Sequence, residues 1–414
     1  MISIEDALAR GDAHYHAGRL SEAEVVCRAV LIVEPRHGGA LHRLGILAHA
    51  AGDYSRAARL LTAAVTSGEA SAHGNLAVVL MKAGFPDAAL THFHAAHALA
   101  PRDARAGYNL AMALLGAGAL EEGFRLYEQR WRLKGPTPWI SRWDLFWDGR
   151  PLDGRILLAH AEQGFGDSIQ FARYVALAAA RGAQVILAVP RALQRLMEGL
   201  DGCARVLSEG ESVPAYAAHV PLMSLPRIFG TTEATIPASV PYIRAPSSSS
   251  FPLPRSAGLP LRVGLVWAGR AEDPEDAQRS CPLERLAPLL TMAGVEFHSL
   301  QKGPPEAGLD GVVGGDRVIR HGDSLQDFAD TAALVAGLDL VIGVDTAVIH
   351  LAGALARPVW TLLSADPDWR WMRGRTDSPW YPTMRLFRQP VLGDWTTVIA
   401  DVAQSLRRFG RDSR

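Results

Sequence analysis

The sequence predicts an α plus α/β chain: an N-terminal helical-repeat solenoid followed by two α/β domains with parallel sheets. Three observations predict it. A small-residue pattern recurs about every 34 residues through the first third. Near Arg155 helical periodicity gives way to short apolar runs alternating with helical stretches. A proline- and serine-rich run then divides the remainder in two. Recurrence at such a period signals stacked helix pairs, and strand–helix alternation signals a parallel sheet.

The repeat comes first. Ala17-Gly18, Ala51-Gly52, Ala83-Gly84 and Ala117-Gly118 recur at spacings of 34, 32 and 34. Small residues keep the same frame at Gly11, Gly45, Ala77 and Ala111, and again at Ala23, Ala57 and Ala89, with Gly123 in repeat four. Pro35 and Pro101 close repeats one and three. The pattern resembles the tetratricopeptide repeat over about residues 5–133, and residues 1–133 are assigned to that domain. One helix pair cannot bury its own apolar face. Stacked pairs leave a concave groove that suits a peptide or protein segment, although a plain scaffold or dimerising role fits the same helices.

Residues 134–154 form a connector. Glycine and prolines at its start break the helix, and Trp139, Trp143 and Trp147 fall four residues apart. A short helix would align the three on one face, where they would pack the two halves together. Residues 155–245 make the first α/β domain, with strands at 156–159, 185–189, 204–207 and 219–222 and a helix over 167–180. Residues 246–260 are the linker. Residues 261–414 make the second, with strands at 261–267, 295–300, 338–342 and 358–363 and a final amphipathic helix over 396–408. Two such units place a ligand cleft at the C-terminal ends of their strands.

Composition narrows the partners. The net charge of -1 argues against a nucleic-acid-binding surface spread over the molecule. Cys27, Cys203 and Cys281 show no CxxC spacing and read as reduced thiols of a cytoplasmic protein. The first residues lack a basic and apolar leader, and the longest apolar run, 174–190, is broken by Arg181, Gly182 and Gln184. No signal peptide and no transmembrane segment are expected.

Four segments at strand ends carry the chemistry. In His160-Ala-Glu162-Gln163-Gly164-Phe-Gly166-Asp167 the glycines admit close backbone approach, and a carboxylate at a helix start suits the dipole. A plain helix cap also fits Asp167. Trp267-Ala-Gly269 precedes Arg279-Ser280, where a guanidinium and a hydroxyl could hold a diphosphate. A surface arginine and a cap serine fit as well. In Gln301-Lys302, Lys302 could neutralise phosphate and Gln301 could read a base or sugar; a solvated loop lysine is the alternative. Asp345-Thr346-Ala347 opens a helix whose free N–H groups suit a phosphate, and His350 follows one turn after Thr346.

In this order the four segments resemble the heptosyltransferase-type glycosyltransferases of the two-domain GT-B fold, over about residues 153–400. The segment His160 to Asp167, with Asp377-Ser-Pro-Trp380-Tyr381-Pro382, resembles the branch carrying tetratricopeptide repeats. The resemblance implies an inverting transferase that needs no metal and no cofactor, its substrate a nucleotide-diphosphate or nucleotide-monophosphate sugar. It implies Asp167 as base, with His160 and Glu162 as rivals in an acceptor loop containing Gln163, Gly164 and Gly166. The donor contacts it implies are Trp267, Gly269, Arg279, Ser280, Gln301, Lys302, Asp345, Thr346, Ala347 and His350. Ala347 departs from the family's usual glycine and narrows the room for the donor. The motifs do not choose among hexosyl, heptosyl and nonulosonyl donors.

By the same analogy the acceptor is a protein presented by the repeats, flagellin-like proteins included. A lipid-linked or polysaccharide acceptor, or a non-catalytic adaptor, is the alternative. Asp366-Pro-Asp368 has the spacing of a metal-binding pair but reads better as a turn, and His92, His94 and His97 read as a surface cluster. Trp369 and Trp371 suit either stacking on a ligand or packing.

Overall fold

The computed structural model describes residues 2–135, 139, 142–246, 260–270 and 276–412. They form two compact units, Met1–Gly135 and Pro136–Arg414.

The first unit is a stack of antiparallel helices. α1 (Ile4–His16) packs on α2 (Leu20–Val33), α3 (Gly38–Ala50) on α4 (Tyr54–Thr66), α5 (Ala72–Lys82) on α6 (Pro86–Leu99), and α7 (Ala104–Gly116) on α8 (Leu120–Tyr127). A short α9 (Arg130–Lys134) follows. The recurrent Ala-Gly pairs are the turns within each helix pair. Gly18, Gly52, Gly84 and Gly118 all have φ between 74° and 84°, a region that penalises any residue with a Cβ. The other small positions are crossing points. Ala23, Ala57 and Ala89 are buried, and a Cβ on Gly45 would lie 2.5 Å from Leu61 Cγ. Gly123 replaces the alanine of earlier repeats because a Cβ there would lie 2.7 Å from the Leu115 side chain.

In the second unit β1 (Ile156–His160), β2 (Gln184–Ala188), β3 (Cys203–Leu207) and β4 (Ala218–Pro221) build a parallel sheet ordered β3-β2-β1-β4 among the described residues. Its helices are α10 (Phe165–Phe171), α11 (Val175–Ala180), α12 (Gln194–Met197) and α13 (Leu225–Ile228). A second parallel sheet contains β5 (Leu261–Val266), β6 (Val295–Ser299), β7 (Ile319–Arg320), β8 (Leu340–Val344), β9 (Val359–Leu363) and β10 (Met384–Arg388). Its order is β10-β9-β8-β5-β6-β7. With it come α14 (Asp276–Arg279), α15 (Ala287–Leu290), α16 (Phe328–Ala336), α17 (Ala347–Ala354) and α18 (Trp395–Asp412). Every residue of β8 and β9 is buried, as expected of strands covered on both faces. The predicted twin-sheet GT-B architecture is therefore present. No helix among the described residues is long and apolar enough to cross a membrane.

Local expectations change in four places. The helix expected over 167–180 starts at Phe165 and is interrupted by a 3-10 turn at Ala172–Tyr174. The strand expected at 338–342 lies two residues later, and the sheet has two strands beyond those the sequence predicts, β7 and β10. Both lie at the ends of the second sheet. From Arg142 onward the connector starts with a 3-10 turn, Trp143–Leu145. Its backbone pairs with the sheet edge instead of closing a helix: Phe146 bridges His219, and Trp147 N donates to His219 O at 2.8 Å. The three tryptophans thus share no helical stripe; Trp147 is buried against Phe229, while Trp143 is exposed. Most of the expected linker, 247–259, lies outside the described residues. The three cysteines are unpaired.

Candidate active site

The strand orders place the site. Neighbouring crossovers run in opposite directions at β1/β4 and at β8/β5, and such switch points open crevices at the strand C-termini. Gly164–Asp167 follows β1. Asp345-Thr346 follows β8, Trp267-Ala-Gly269 follows β5, and Gln301-Lys302 follows β6. Since β8, β5 and β6 are adjacent, the three expected donor segments line one edge of the second sheet.

The helix after β1 meets the helix after β8. Gly166 sits on α10 against α17: a Cβ there would lie 2.8 Å from His350 Cδ2 and 3.6 Å from Ala347 Cα. Glycine is what lets the two sheets' site segments approach this closely. Asp167 is the third residue of α10, and its Oδ2 accepts from Gly164 N at 2.7 Å. The cap position itself is Gly164, so Asp167 is not the cap residue but bonds back to the cap's backbone N–H from the first turn. Its Oδ1 takes a second partner, the Arg370 guanidinium from the second sheet's side.

Arg370 is bonded in turn to Asp368. Arg370 NH1 lies 2.7 Å from Asp368 Oδ1, and the same oxygen accepts from Arg370 N at 3.0 Å. Asp368 thus caps the 3-10 turn Trp369–Trp371, which begins just after Asp366-Pro-Asp368. The guanidinium packs 4.4 Å from the Trp369 ring centroid. Burial pushes the Asp345 carboxyl up, but His350, Trp371 and Arg370 outweigh it and hold it below its ordinary value. Burial also dominates at Asp368 and, with the Asp345 charge, prevails over Arg370, raising that carboxyl above its ordinary value.

α17 begins at Ala347 with no side-chain cap. Its first turn has N–H groups without helical acceptors, and Thr346 Oγ1 is buried with no hydrogen-bond partner among the described residues. The His350 ring is buried, stacked on Trp371 at 5.2 Å between centroids, with Nδ1 2.9 Å from the Tyr381 hydroxyl and Nε2 3.7 Å from Asp345 Oδ1.

The other expected donor residues are already bonded within the protein. Arg279 NH2 lies 3.1 Å from Asp276 Oδ1, Ser280 Oγ donates to Asp276 Oδ2 at 2.7 Å, and Gly269 N donates to Ser280 Oγ at 3.1 Å. A Cβ on Gly269 would lie 2.2 Å from Asp276 Oδ1, so this glycine admits the carboxylate. Gln301 is buried, and its carboxamide oxygen accepts from Trp267 N and Ala268 N at 3.2 and 3.0 Å. It ties β6 to β5 rather than facing a ligand. Lys302 Nζ donates to the carbonyls of Leu325 and Gly322.

Of the rival bases, His160 is fully buried, with Nε2 3.3 Å from His219 Nδ1, inside the first sheet. Glu162 Oε1 accepts from Met223 N at 3.1 Å. Gln163 is half-buried beside them. His92, expected to cluster with His94 and His97, instead meets His73, the two Nδ1 atoms 2.9 Å apart.

Sequence reasoning missed Arg370 and Arg173. Arg173 is buried with no carboxylate partner among the described residues, donating to Gln170 O at 2.7 Å, Trp380 O at 2.6 Å and the Tyr242 hydroxyl at 3.0 Å. Its guanidinium also lies 4.6 Å from the Tyr381 ring centroid. Arginines flanked by aromatics, as in Trp369-Arg370-Trp371 and Phe171-Ala-Arg173-Tyr174, were the available signal.

Residues 326–387, which hold Asp345, Thr346, His350, Arg370 and Tyr381, match glycosyltransferase family 9 (heptosyltransferase). Residues 42–84 and 75–136 match the tetratricopeptide repeat. The chain joins tetratricopeptide repeats to a glycosyltransferase family 9 segment. It is 32% identical over 331 residues to Protein FlbA of Caulobacter vibrioides, covering 72% of this chain and 54% of that protein. It therefore spans about half the length of this curated relative. Among solved structures it is similar to a Thermobaculum terrenum O-GlcNAc transferase variant, at 19% identity and a TM-score of 0.34, covering 99% of this chain and 89% of that one. It is also similar to the E. coli ADP-heptose heptosyltransferase II, at 12% identity and a TM-score of 0.43, covering 62% of this chain and 99% of that one.

Proposed function

We propose that the chain is an inverting, metal-independent glycosyltransferase that moves a sugar from a nucleotide-sugar donor to a hydroxyl of a protein held by the repeats. The observation that carries this reading is the meeting of Asp167, after β1, with the uncapped start of α17, after β8, across Gly166 and His350. It sets a carboxylate beside a set of N–H donors suited to a phosphate.

The donor's phosphate groups sit at Thr346 and the first turn of α17, with Arg279 supplying positive charge after β5. Asp167 takes the proton from the acceptor hydroxyl. The oxygen forms the new bond to the anomeric carbon, and the old bond breaks with its electron pair leaving on the nucleotide. Attack and departure on opposite faces invert the centre. Side-chain cations and helix N–H groups supply the charge stabilisation in this reading, so it requires no metal. Lys302 enters only if its ammonium leaves the carbonyls of Gly322 and Leu325.

A thermal-shift panel of nucleotides and nucleotide sugars tests the donor site, because a bound ligand raises the unfolding temperature by mass action. Mass spectrometry of co-expressed proteins, flagellin-like ones first, tests the acceptor. A sugar on lipid or polysaccharide with none on protein would shift the acceptor class. No shift with any nucleotide would leave a repeat adaptor. Full transfer by a folded Asp167→Asn would rule out the assigned base.

A further inference from the structure

We propose that Arg370 is the positioning residue of Asp167, and that the second sheet's half thereby sets the base supplied by the first. The inference rests on Asp167 acting as base. The two oxygens of Asp167 are held from different sides: Oδ2 by Gly164 N, part of its own helix start, and Oδ1 by Arg370. The first partner is local and forms wherever α10 forms. The second exists only when the two sheets are docked.

Arg370 is itself fixed. It is 7% exposed, its NH1 is 2.7 Å from Asp368 Oδ1, and its guanidinium packs over the rings of Trp369 and Phe171 at 4.4 and 5.8 Å. Phe171 belongs to α10 and Trp369 to the turn after β9, so the guanidinium is held by both halves. A planar, delocalised cation can bond two carboxylates at once and stack on aromatics, whereas an ammonium lacks that fork. Each carboxylate oxygen has a second lone pair, so Asp167 keeps a site for the acceptor hydroxyl while Arg370 fixes its plane. Arg370 thus acts through Asp167.

The experiment measures release of nucleotide from UDP-, GDP-, ADP- and CMP-sugars by the full chain, with water as acceptor. The variants are Arg370→Ala, Arg370→Lys, Asp167→Asn and the double variant Asp167→Asn/Arg370→Ala, each checked for folding by circular dichroism. Arg370→Ala is expected to lower kcat about 100-fold with donor KM within about threefold, the size of a general-base contribution. Added guanidinium should restore part of that rate, and Arg370→Lys should fall between wild type and Arg370→Ala. The double variant should be no slower than Asp167→Asn, because two residues acting as a unit are not additive. Wild-type kcat in Arg370→Ala, or losses that multiply in the double variant, would overturn the positioning role while leaving the base intact. Near-full turnover by Asp167→Asn would instead remove the base, and the positioning role with it.

Discussion

The Tyr381 hydroxyl lies 2.9 Å from Nδ1 of His350. Tyr381 lies between β9 and β10 and His350 lies on α17, and the space between them depends on Gly353, where a Cβ would lie 2.5 Å from Tyr381 Cδ1. Burial, the dominant influence, raises the Tyr381 phenol well above its ordinary value, so it stays neutral and available as a hydrogen-bond partner. Tyr381→Phe keeps the ring but leaves His350 Nδ1 buried without this partner, a loss of about 1–2 kcal/mol. Gly353→Ala drives a methyl into the ring and should lower stability by about 1–3 kcal/mol. Urea unfolding of both variants checks the pair; wild-type midpoints would show that this contact does not matter.

Gly166→Ala tests the approach of α10 to α17. Its methyl would press on His350 Cδ2 and part the segments carrying Asp167 and Thr346. A shift on that scale should lower turnover by about 10- to 100-fold. Steady-state kinetics beside a melting curve separates this from simple unfolding. An unchanged kcat would mean that the α10–α17 spacing is not used in turnover.

Arg173→Met removes a buried cation that binds Gln170 O, Trp380 O and the Tyr242 hydroxyl. Methionine fills much of the volume but none of the hydrogen bonds, so the expected loss is about 2–4 kcal/mol. Calorimetry gives the value. A loss below about 0.5 kcal/mol, the level of an ordinary surface change, would show that the arginine is dispensable for stability.

His298 and His321 give a pH dependence. Their rings stack 5.3 Å apart with Nδ1 of His298 3.0 Å from Nε2 of His321; Glu296, Arg262 and Glu306 are the charged groups around them. Burial is the main cause lowering both imidazoles, aided at His321 by His298 and opposed by the glutamates. In the unfolded chain both return towards 6.5. As pH falls below that point the unfolded state binds more protons, so stability present above 6.5 is lost down to the folded values. The melting temperature should drop between about pH 7.5 and about pH 5.5, and His321→Gln should flatten the slope. Equal slopes in the two proteins would assign the effect to other groups.

The repeat glycines divide into two kinds. Gly52→Ala places a Cβ at φ 78° with open space around it, so it should cost about 1 kcal/mol in backbone strain. Gly45→Ala meets Leu61 at 2.5 Å and should cost about 1–3 kcal/mol in packing. Denaturation of the full chain, followed at the repeat transition, compares them. A harmless Gly45→Ala would mean that the α3–α4 crossing can widen.

Much of the architecture was legible because it is periodic. The Ala-Gly recurrence marks positive-φ turns, and apolar runs mark strands wherever both faces are covered. The Trp-rich connector was not legible, since its backbone bonds to a sheet edge that sequence spacing does not reveal. The same holds for Gln301 and Lys302. Their types suit a ligand, yet backbone groups of neighbouring strands and loops occupy their polar atoms.

The chain's own pattern of small, apolar and turn residues determined the repeats, the two α/β units and the strand ends where chemistry collects, because each depends on short-range geometry. Only the tertiary structure decided that His160 is walled inside a sheet, that Gly166 admits His350, and that Arg370 bonds Asp167 across 203 positions of sequence. Which side chains share a site depends on the docking of two sheets, and that is set by packing between residues remote in sequence.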